Sequence, residues 1–292
     1  MPDDRRVPVE WDDLTYHALS EDLRADQRWS TWGSVERSSR GPEPRPPWLV
    51  TSAAAIDTDL GLLKTGKEAD VFLLERAVPG DDAQSCLLAA KRYRDSDHRL
   101  FHRDTGYVEG RRVRNSRDTR AMARKTGFGR AVAAGLWAAA EWRALNRLYE
   151  AGVPVPYPVQ LDGTELLLEF VSSGDAAAPR LHQVRPSPAQ LEVLFHQVRE
   201  AMHLMTALGV VHGDLSPFNL LVADADDPEP RLLIIDVPQL VDLVANPNAV
   251  EFLHRDCNNV AQWFTTRGRP VDADELLADL LEAEGYDVVT AS

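Results

Sequence analysis

The chain has little cysteine, little lysine and no long apolar run, and each shortage excludes something. Its two cysteines, Cys86 and Cys257, stand far apart with no C-x-x-C spacing. Neither a disulfide framework nor a cysteine zinc site is indicated, and a reducing cytoplasm is the expected compartment. No stretch approaches the ~18 apolar residues of a membrane span, and the opening MPDDRRVPVEWDD lacks the apolar centre of a signal peptide, so neither insertion nor export is expected. Positive charge is short too: the formal net charge is −14, and only Lys64, Lys67, Lys91 and Lys125 are lysines. That balance argues against a surface lying wholly on nucleic acid, which needs net positive charge, although a local basic patch stays open.

What is present suffices for an enzyme. At 292 residues and 44% hydrophobic, the chain can build one two-lobed protein or two small domains with real cores. Residues 1–49 are polar and end in GPEPRPPW, whose prolines deny helix and ladder hydrogen bonds, so they read as an extension plus linker, with a short helix around Trp11 to Trp29. From Ala54 come β-like runs (GLLKTG, ADVFLLE, SCLLAAKRYR) that suit an antiparallel sheet. The arginine-dense stretch 95–130 has the composition of a flexible loop. Ala131 to Glu150 has apolar residues at helical spacing and is closed by Gly152. A strand, LLLEFV, and a second linker precede the helix Ser187 to Leu208, capped by Ser187 with Pro188 behind it and ended by Gly209. A strand pair in RLLIIDV and a helical region from Asn248 through Glu284 complete the chain.

The sharpest chemical signal is His212-Gly213-Asp214-Leu215-Ser216-Pro217-Phe218-Asn219, with Asp236 ending an apolar strand seventeen residues later. An Asp opening such a loop can take a hydroxyl proton, while an Asn five residues on and a second Asp hold one magnesium ion beside a triphosphate. A turn capped by Asp214 would explain the loop alone but leaves the strand ending in Asp236 as an accident. Lys91, in LLAAKRY, has the apolar approach of a strand that aims one ammonium at phosphates, and Glu141 in the alanine-rich helix is its expected partner. Lys67 and Glu68 lie in T-G-K-E-A-D, a glycine turn that can lay backbone N–H groups over phosphates or be a plain hairpin. Glu169 and Val171, at the end of LLLEFV, offer backbone groups to an adenine. The histidines show no metal spacing.

Four segments together resemble the RIO-type atypical protein kinases, and the first subfamily more than the second: TGKEADVF at 65–72, HGDLSPFN at 212–219, IIDVPQ at 234–239 and EFLHRDCNNV at 251–260. The resemblance implies an α+β, two-lobed protein-kinase-like fold. Its N-lobe (50–171) is an antiparallel sheet with an αC helix and the flexible loop 95–130; its C-lobe (172–292) is mostly helical, trimmed and without an activation segment. It further implies ATP with Mg2+ or Mn2+, serine/threonine transfer with autophosphorylation or ATP hydrolysis, phosphate contacts from Lys67 and Glu68, and a protein substrate, with a ribosomal or RNA-containing partner by analogy. Asp214 becomes base, Lys91 the ATP lysine, Glu141 its partner, and Asn219 and Asp236 metal ligands. Pro217, Pro238 and Gly213 depart from the residues common in relatives. A small-molecule kinase of the aminoglycoside or choline type shares H-G-D-L-x-x-x-N, although the G-K-E-A-D turn argues against it; an ATP-driven assembly switch would carry the same motifs, and an inactive pseudokinase acting as a binding module is disfavoured because Lys91, Asp214, Asn219 and Asp236 are all present.

Overall fold

The computed structural model describes residues 23–94, 127–174, 176–237 and 240–283, with side chains from 133 in the second span. Most of the arginine-dense stretch and the first part of the expected N-terminal helix lie outside them.

Six strands form one antiparallel sheet in the order β1-β2-β3-β4-β6-β5: β1 Gln27–Trp29, β2 Ile56–Thr65, β3 Ala69–Val78, β4 Asp81–Tyr93, β5 Pro158–Asp162 and β6 Glu165–Glu169. Alternation along these strands gives the sheet two working faces. Lys64, Val71, Lys91 and Leu166 pair in one row and share the inner face. Leu74, Leu88 and Ala90 belong to the other face, where a compact apolar layer buries them with Trp32, Val50, Tyr157 and Val159.

That layer changes the reading of the N-terminal segment. Residues 23–50 are no free linker: β1 extends the sheet, and Trp32, Leu49 and Val50 are buried in its outer core. The expected helix reaching Trp29 ends instead in a turn and a strand. The proline run is anchored by Tyr157 Oη donating to the Pro42 carbonyl at 2.9 Å and Gly41 N donating to the Val159 carbonyl at 2.9 Å. A side chain on Gly41 would place its Cβ 2.0 Å from the Pro158 oxygen, so only glycine permits this approach. Composition misleads here because prolines remove ladder bonds without preventing side-chain burial.

Helix α1, Gly127–Glu150, crosses beneath the sheet, and Trp142 Nε1 donates to the Ser38 carbonyl at 3.1 Å, tying it to the same segment. Two two-residue strands follow, β7 Ser172–Ser173 and β8 Ala176–Ala177. The second lobe holds α2 Pro188–Ala207, β9 Val210–Val211, β10 Leu220–Ala223, β11 Arg231–Ile234, β12 Val241–Asp242, α3 Ala249–Thr265 and α4 Ala273–Glu282. Its core joins α1, α2, α3 and α4 through Leu148, Leu194, Val198, Leu253, Phe264 and Leu280. At the start of α2, Ser187 Oγ accepts from Gln190 N at 3.3 Å while Gln190 Oε1 accepts from Ser187 N at 2.9 Å, a reciprocal cap. Within RLLIIDV the first four residues form one strand, β11, which pairs with β10 rather than with a second strand of the same run. Helix α3 begins at Ala249, soon after Asp236, with only β12 among the described residues between them. None of the described helices is long and apolar enough to cross a membrane.

Candidate active site

Lys91 comes from the inner face of β4 and Glu141 from the middle of α1, and their side chains meet. Lys91 Nζ donates to Glu141 Oε1 at 2.7 Å and to Asp236 Oδ1 at 2.9 Å, the latter carboxylate arriving from the second lobe. Tyr93 Oη donates to the other Glu141 oxygen. Burial pushes the Glu141 pKa upward, and the Lys91 ammonium lying against it offsets part of that rise. Burial alone would depress Lys91; Glu141 and then Asp236 outweigh it and raise the ammonium above its usual range.

Asp236 follows β11 with φ of 66°, the left-handed region that a side-chain-bearing residue seldom adopts, and its carboxylate turns into the cleft with the side chain 45% exposed. Burial raises its pKa, but Lys91, Lys64 and Arg180 together bring it below the ordinary carboxylate range.

The loop His212–Asn219 connects β9 to β10. Asp214 is exposed, whereas Asn219 is buried and donates Nδ2–H to the Asp214 carbonyl at 2.9 Å, which leaves Asn219 Oδ1 as an acceptor. Buried His212 reaches the Ile235 carbonyl with Nε2 at 3.3 Å and accepts from Asp214 N at Nδ1 at 3.3 Å, linking the loop to the strand end that carries Asp236. Pro217 directs its carbonyl to His182 N at 3.1 Å. Pro238 lies outside the described residues.

Sequence reasoning assigned no role to the residues that hold this loop. Asp256 of α3 accepts from Gly213 N at 2.7 Å and from Leu215 N at 2.8 Å; Arg255 donates to the Gly213 carbonyl and Asn259 Nδ2 to the Leu215 carbonyl at 2.9 Å. Burial pushes the Asp256 carboxyl up to about 7 despite its two N–H donors. The available signal was a polar pair three residues apart, Asp256 and Asn259, inside a helix face otherwise made by Leu253, Cys257 and Val260.

Lys67 and Glu68 sit exposed at the β2–β3 turn, which overhangs the cleft. Burial raises the Glu68 pKa, while Lys91 lowers it, so the turn feels the central cation. The turn is a tight hairpin closed by Gly66 N to the Ala69 carbonyl at 2.9 Å, and it is held by Arg94, which pairs with Asp70 and donates to the Gly66 carbonyl at 3.0 Å. At the back of the cleft, Glu169 Oε2 accepts from Tyr157 N at 3.0 Å, so its side chain faces away from any nucleotide and only its backbone serves. Buried Val171 accepts from Ala178 N at 3.0 Å, yet its own N–H meets no acceptor among the described residues. An orphan N–H in a buried residue fits an adenine nitrogen.

The donor set also suits magnesium. Ile235 N donates to the Asn219 carbonyl at 2.9 Å, which brings the backbones that carry Asn219 and Asp236 side by side, and no cluster of three or more histidine, cysteine or acidic ligands exists among the described residues. Magnesium fits such a sparse site because phosphate oxygens and water complete its shell.

Comparison with known proteins agrees with this geometry. The RIO domain family matches residues 89–276. The RIO-type serine/threonine-protein kinase Rio1 of Haloferax volcanii is 39% identical over 233 residues, which cover 80% of this chain and 72% of that protein. The serine/threonine-protein kinase RIO1 of Caenorhabditis elegans is 35% identical over 224 residues, 76% of this chain but only 40% of its own length. Among solved structures, the Rio2 kinase–ADP/Mg2+–phosphoaspartate complex from Chaetomium thermophilum matches with a TM-score of 0.50 at 24% identity, over 78% of this chain and 67% of that one, which shows the shared fold. The chain therefore belongs to the RIO-type atypical protein kinase family.

Proposed function

We propose that this chain transfers the γ-phosphoryl group of ATP to serine or threonine hydroxyls, its own included, with magnesium as the metal and manganese as a substitute. The observation that supports it is the meeting of Lys91, Glu141 and Asp236 within 2.9 Å across two lobes, opposite the loop that presents Asp214 and Asn219. Asn219 and Asp236 would hold the metal, which when bound neutralises charge on the transferring group. Lys91, fixed by Glu141, orients the α- and β-phosphates, and the turn at Lys67 and Glu68 covers them. Backbone groups of Glu169 and Val171 hold adenine. Asp214 takes the proton of the acceptor hydroxyl as its oxygen bonds phosphorus and the bond to the β-phosphate oxygen breaks. A protein acceptor in the cytoplasm is the expected setting, and a ribosomal or other RNA-containing partner is a reading by kinship alone.

The test is incubation of the purified chain with γ-labelled ATP, alone and with extract. Wild type should label itself or an extract protein, and Lys91→Ala, Asp214→Ala and Asp236→Ala should each lower the rate by ~10²-fold or more. Undiminished labelling in any of the three would defeat the assignment of that residue. A second reading, ATP hydrolysis that drives release from a partner, is favoured by the short connection from Asp236 to α3, which lays out no peptide-binding segment among the described residues. Phosphate release far exceeding protein labelling would select it.

A further inference from the structure

Two cations that the proposed mechanism does not use converge on Asp236. Lys64 reaches the cleft because of a bulge. Leu62 pairs with Phe72, but the next pair is Lys64 with Val71, so Leu63 is an extra residue in β2. In unbroken register Leu63 would oppose Val71 and Lys64 would face the outer layer; the bulge reverses that. Lys64 thus joins the row through Val71 to Lys91, two strand spacings or ~10 Å from it. A lysine delivered inward by an irregularity asks for an anion.

Arg180 approaches from the other lobe. It follows Pro179 in the connection after β8, its backbone bridges to Leu221, and its Nη1 donates to the carbonyl of Phe218, the residue before Asn219. The guanidinium is therefore held beside the metal-ligand end of the loop, not beside the adenine end at Glu169 and Val171. Among the described residues neither Lys64 nor Arg180 pairs with a carboxylate. Lys91, in the row that Lys64 joins, touches Asp236 at 2.9 Å, and Asn219, next to the Phe218 that anchors Arg180, accepts at its carbonyl from Ile235 N at 2.9 Å, so the two cations flank Asp236 from opposite lobes. Two cations that share the single carboxylate of Asp236, itself already paired with Lys91, keep an excess of positive charge that a phosphate anion completes.

We propose that Lys64 and Arg180 form a second clamp, separate from Lys91, that grips the non-bridging oxygens of the terminal phosphoryl group of the bound nucleoside triphosphate. The assignment to the terminal group follows from position: Lys91 is spoken for by Glu141 deeper in the cleft, whereas Arg180 is anchored one residue from Asn219 at the end where Asp214 acts. The clamp would make the site prefer a triphosphate over a diphosphate, beyond what the shared α- and β-phosphate contacts give.

This proposal rests on the nucleotide reading above, and calorimetric titration separates the two. The folded full-length chain is titrated with magnesium ADP and with the magnesium salt of a non-hydrolysable ATP analogue carrying an imido β–γ bridge. Wild type should bind the triphosphate more tightly. Lys64→Gln and Arg180→Gln should each weaken the triphosphate about ten-fold and leave ADP within about two-fold, the size expected for one charge-assisted contact. Lys64→Arg should retain the preference. Exchanging Leu63 and Lys64 (L63K/K64L), which keeps composition but moves the cation off the cleft row, should lose it. A wild-type ratio in both glutamine variants, or equal weakening of both nucleotides, overturns the clamp while the nucleotide site stands. Failure of wild type to bind ADP at all overturns both.

Discussion

At the scale of single residues, the polar contacts around the cleft differ in what their loss would do. Tyr93 and Lys91 each supply one donor to Glu141, which is buried beneath the sheet. Removing the phenol leaves one carboxylate oxygen without a donor, a loss of ~1–3 kcal/mol for a buried acceptor. Tyr93→Phe should therefore lower the thermal midpoint by about 2–10 °C in a chain of this size, and a scan that shows no change would mean that the Glu141 carboxylate finds another donor. Asp256 differs because it touches the loop backbone and not the substrate. Asp256→Asn keeps one acceptor but sets an amide N–H2 against a backbone N–H, so the loop should shift and kcat should fall by ~10–100-fold with KM for ATP changed little. A sign follows from its pKa, raised from 3.8 to about 7. The folded state favours the protonated form, so this group's contribution is greatest below pH 3.8 and is lost as pH rises through about 7. In urea titrations the stability of wild type relative to Asp256→Asn should thus decline from pH 5 to pH 8. A rise over that interval would show that the two N–H donors outweigh burial.

At the scale of elements, helices were easier to read than strands. Gly152 and the Ser187–Pro188 pair are local devices that act through the backbone next to them, so α1 and α2 could be placed from residues alone. The contacts of Lys91 with Glu141 and Asp236 were legible because the motifs single out one lysine and two carboxylates that a phosphate site would need together, while the roles of Asp214 and Asn219 belong to the proposed reading. The bulge at Leu63 was not legible, since no glycine or proline marks it and only pairing with β3 reveals it. Asp256 escaped for the same kind of reason: its partners lie about forty residues upstream. Helix α4 carries a contact that can be tested directly. Asp279 accepts from Arg199 Nε at 2.8 Å and lies 2.8 Å from His203 Nε2, so it fastens α4 to α2. Arg199 foremost, through its hydrogen bond, holds the Asp279 pKa below 3.8. A lowered carboxylate pKa gives stability above its unfolded value that is lost as pH falls through the folded one. Because the pair is half-exposed its worth is modest, about 0.5–1 kcal/mol. Asp279→Asn should lose that amount at pH 6 and progressively less as pH falls below 3.8, read by denaturant midpoint.

At the scale of the whole molecule, the sheet of the smaller lobe divides its labour between its two faces. The inner face supplies Lys91 to the cleft, and the outer face is closed by residues 23–50, which the sequence presents as an extension. Composition could not reveal this, because burial of Trp32 and Val50 depends on Tyr157 and Val159, more than a hundred residues away. The two faces predict separable effects. Trp32 is 5% exposed, and Trp32→Ala should cost ~3–5 kcal/mol by opening a cavity over Leu74 and Leu88. Removal of residues 1–50 also takes the buried side chains of Leu49 and Val50 and all of β1 away from the sheet, uncovering Leu74, Leu88 and Val159, which together approach the 5–15 kcal/mol that commonly stabilises a whole domain. The shortened chain should aggregate or bind an apolar dye at 25 °C, whereas Trp32→Ala should stay folded there with a thermal midpoint lowered by about 6–20 °C. Below its melting range, Trp32→Ala should bind magnesium ADP within about three-fold of wild type, because Trp32 touches the face turned away from Lys91. If nucleotide affinity instead fell in step with stability, the outer layer would have to act on the cleft through the sheet, and the two faces could not be treated as independent.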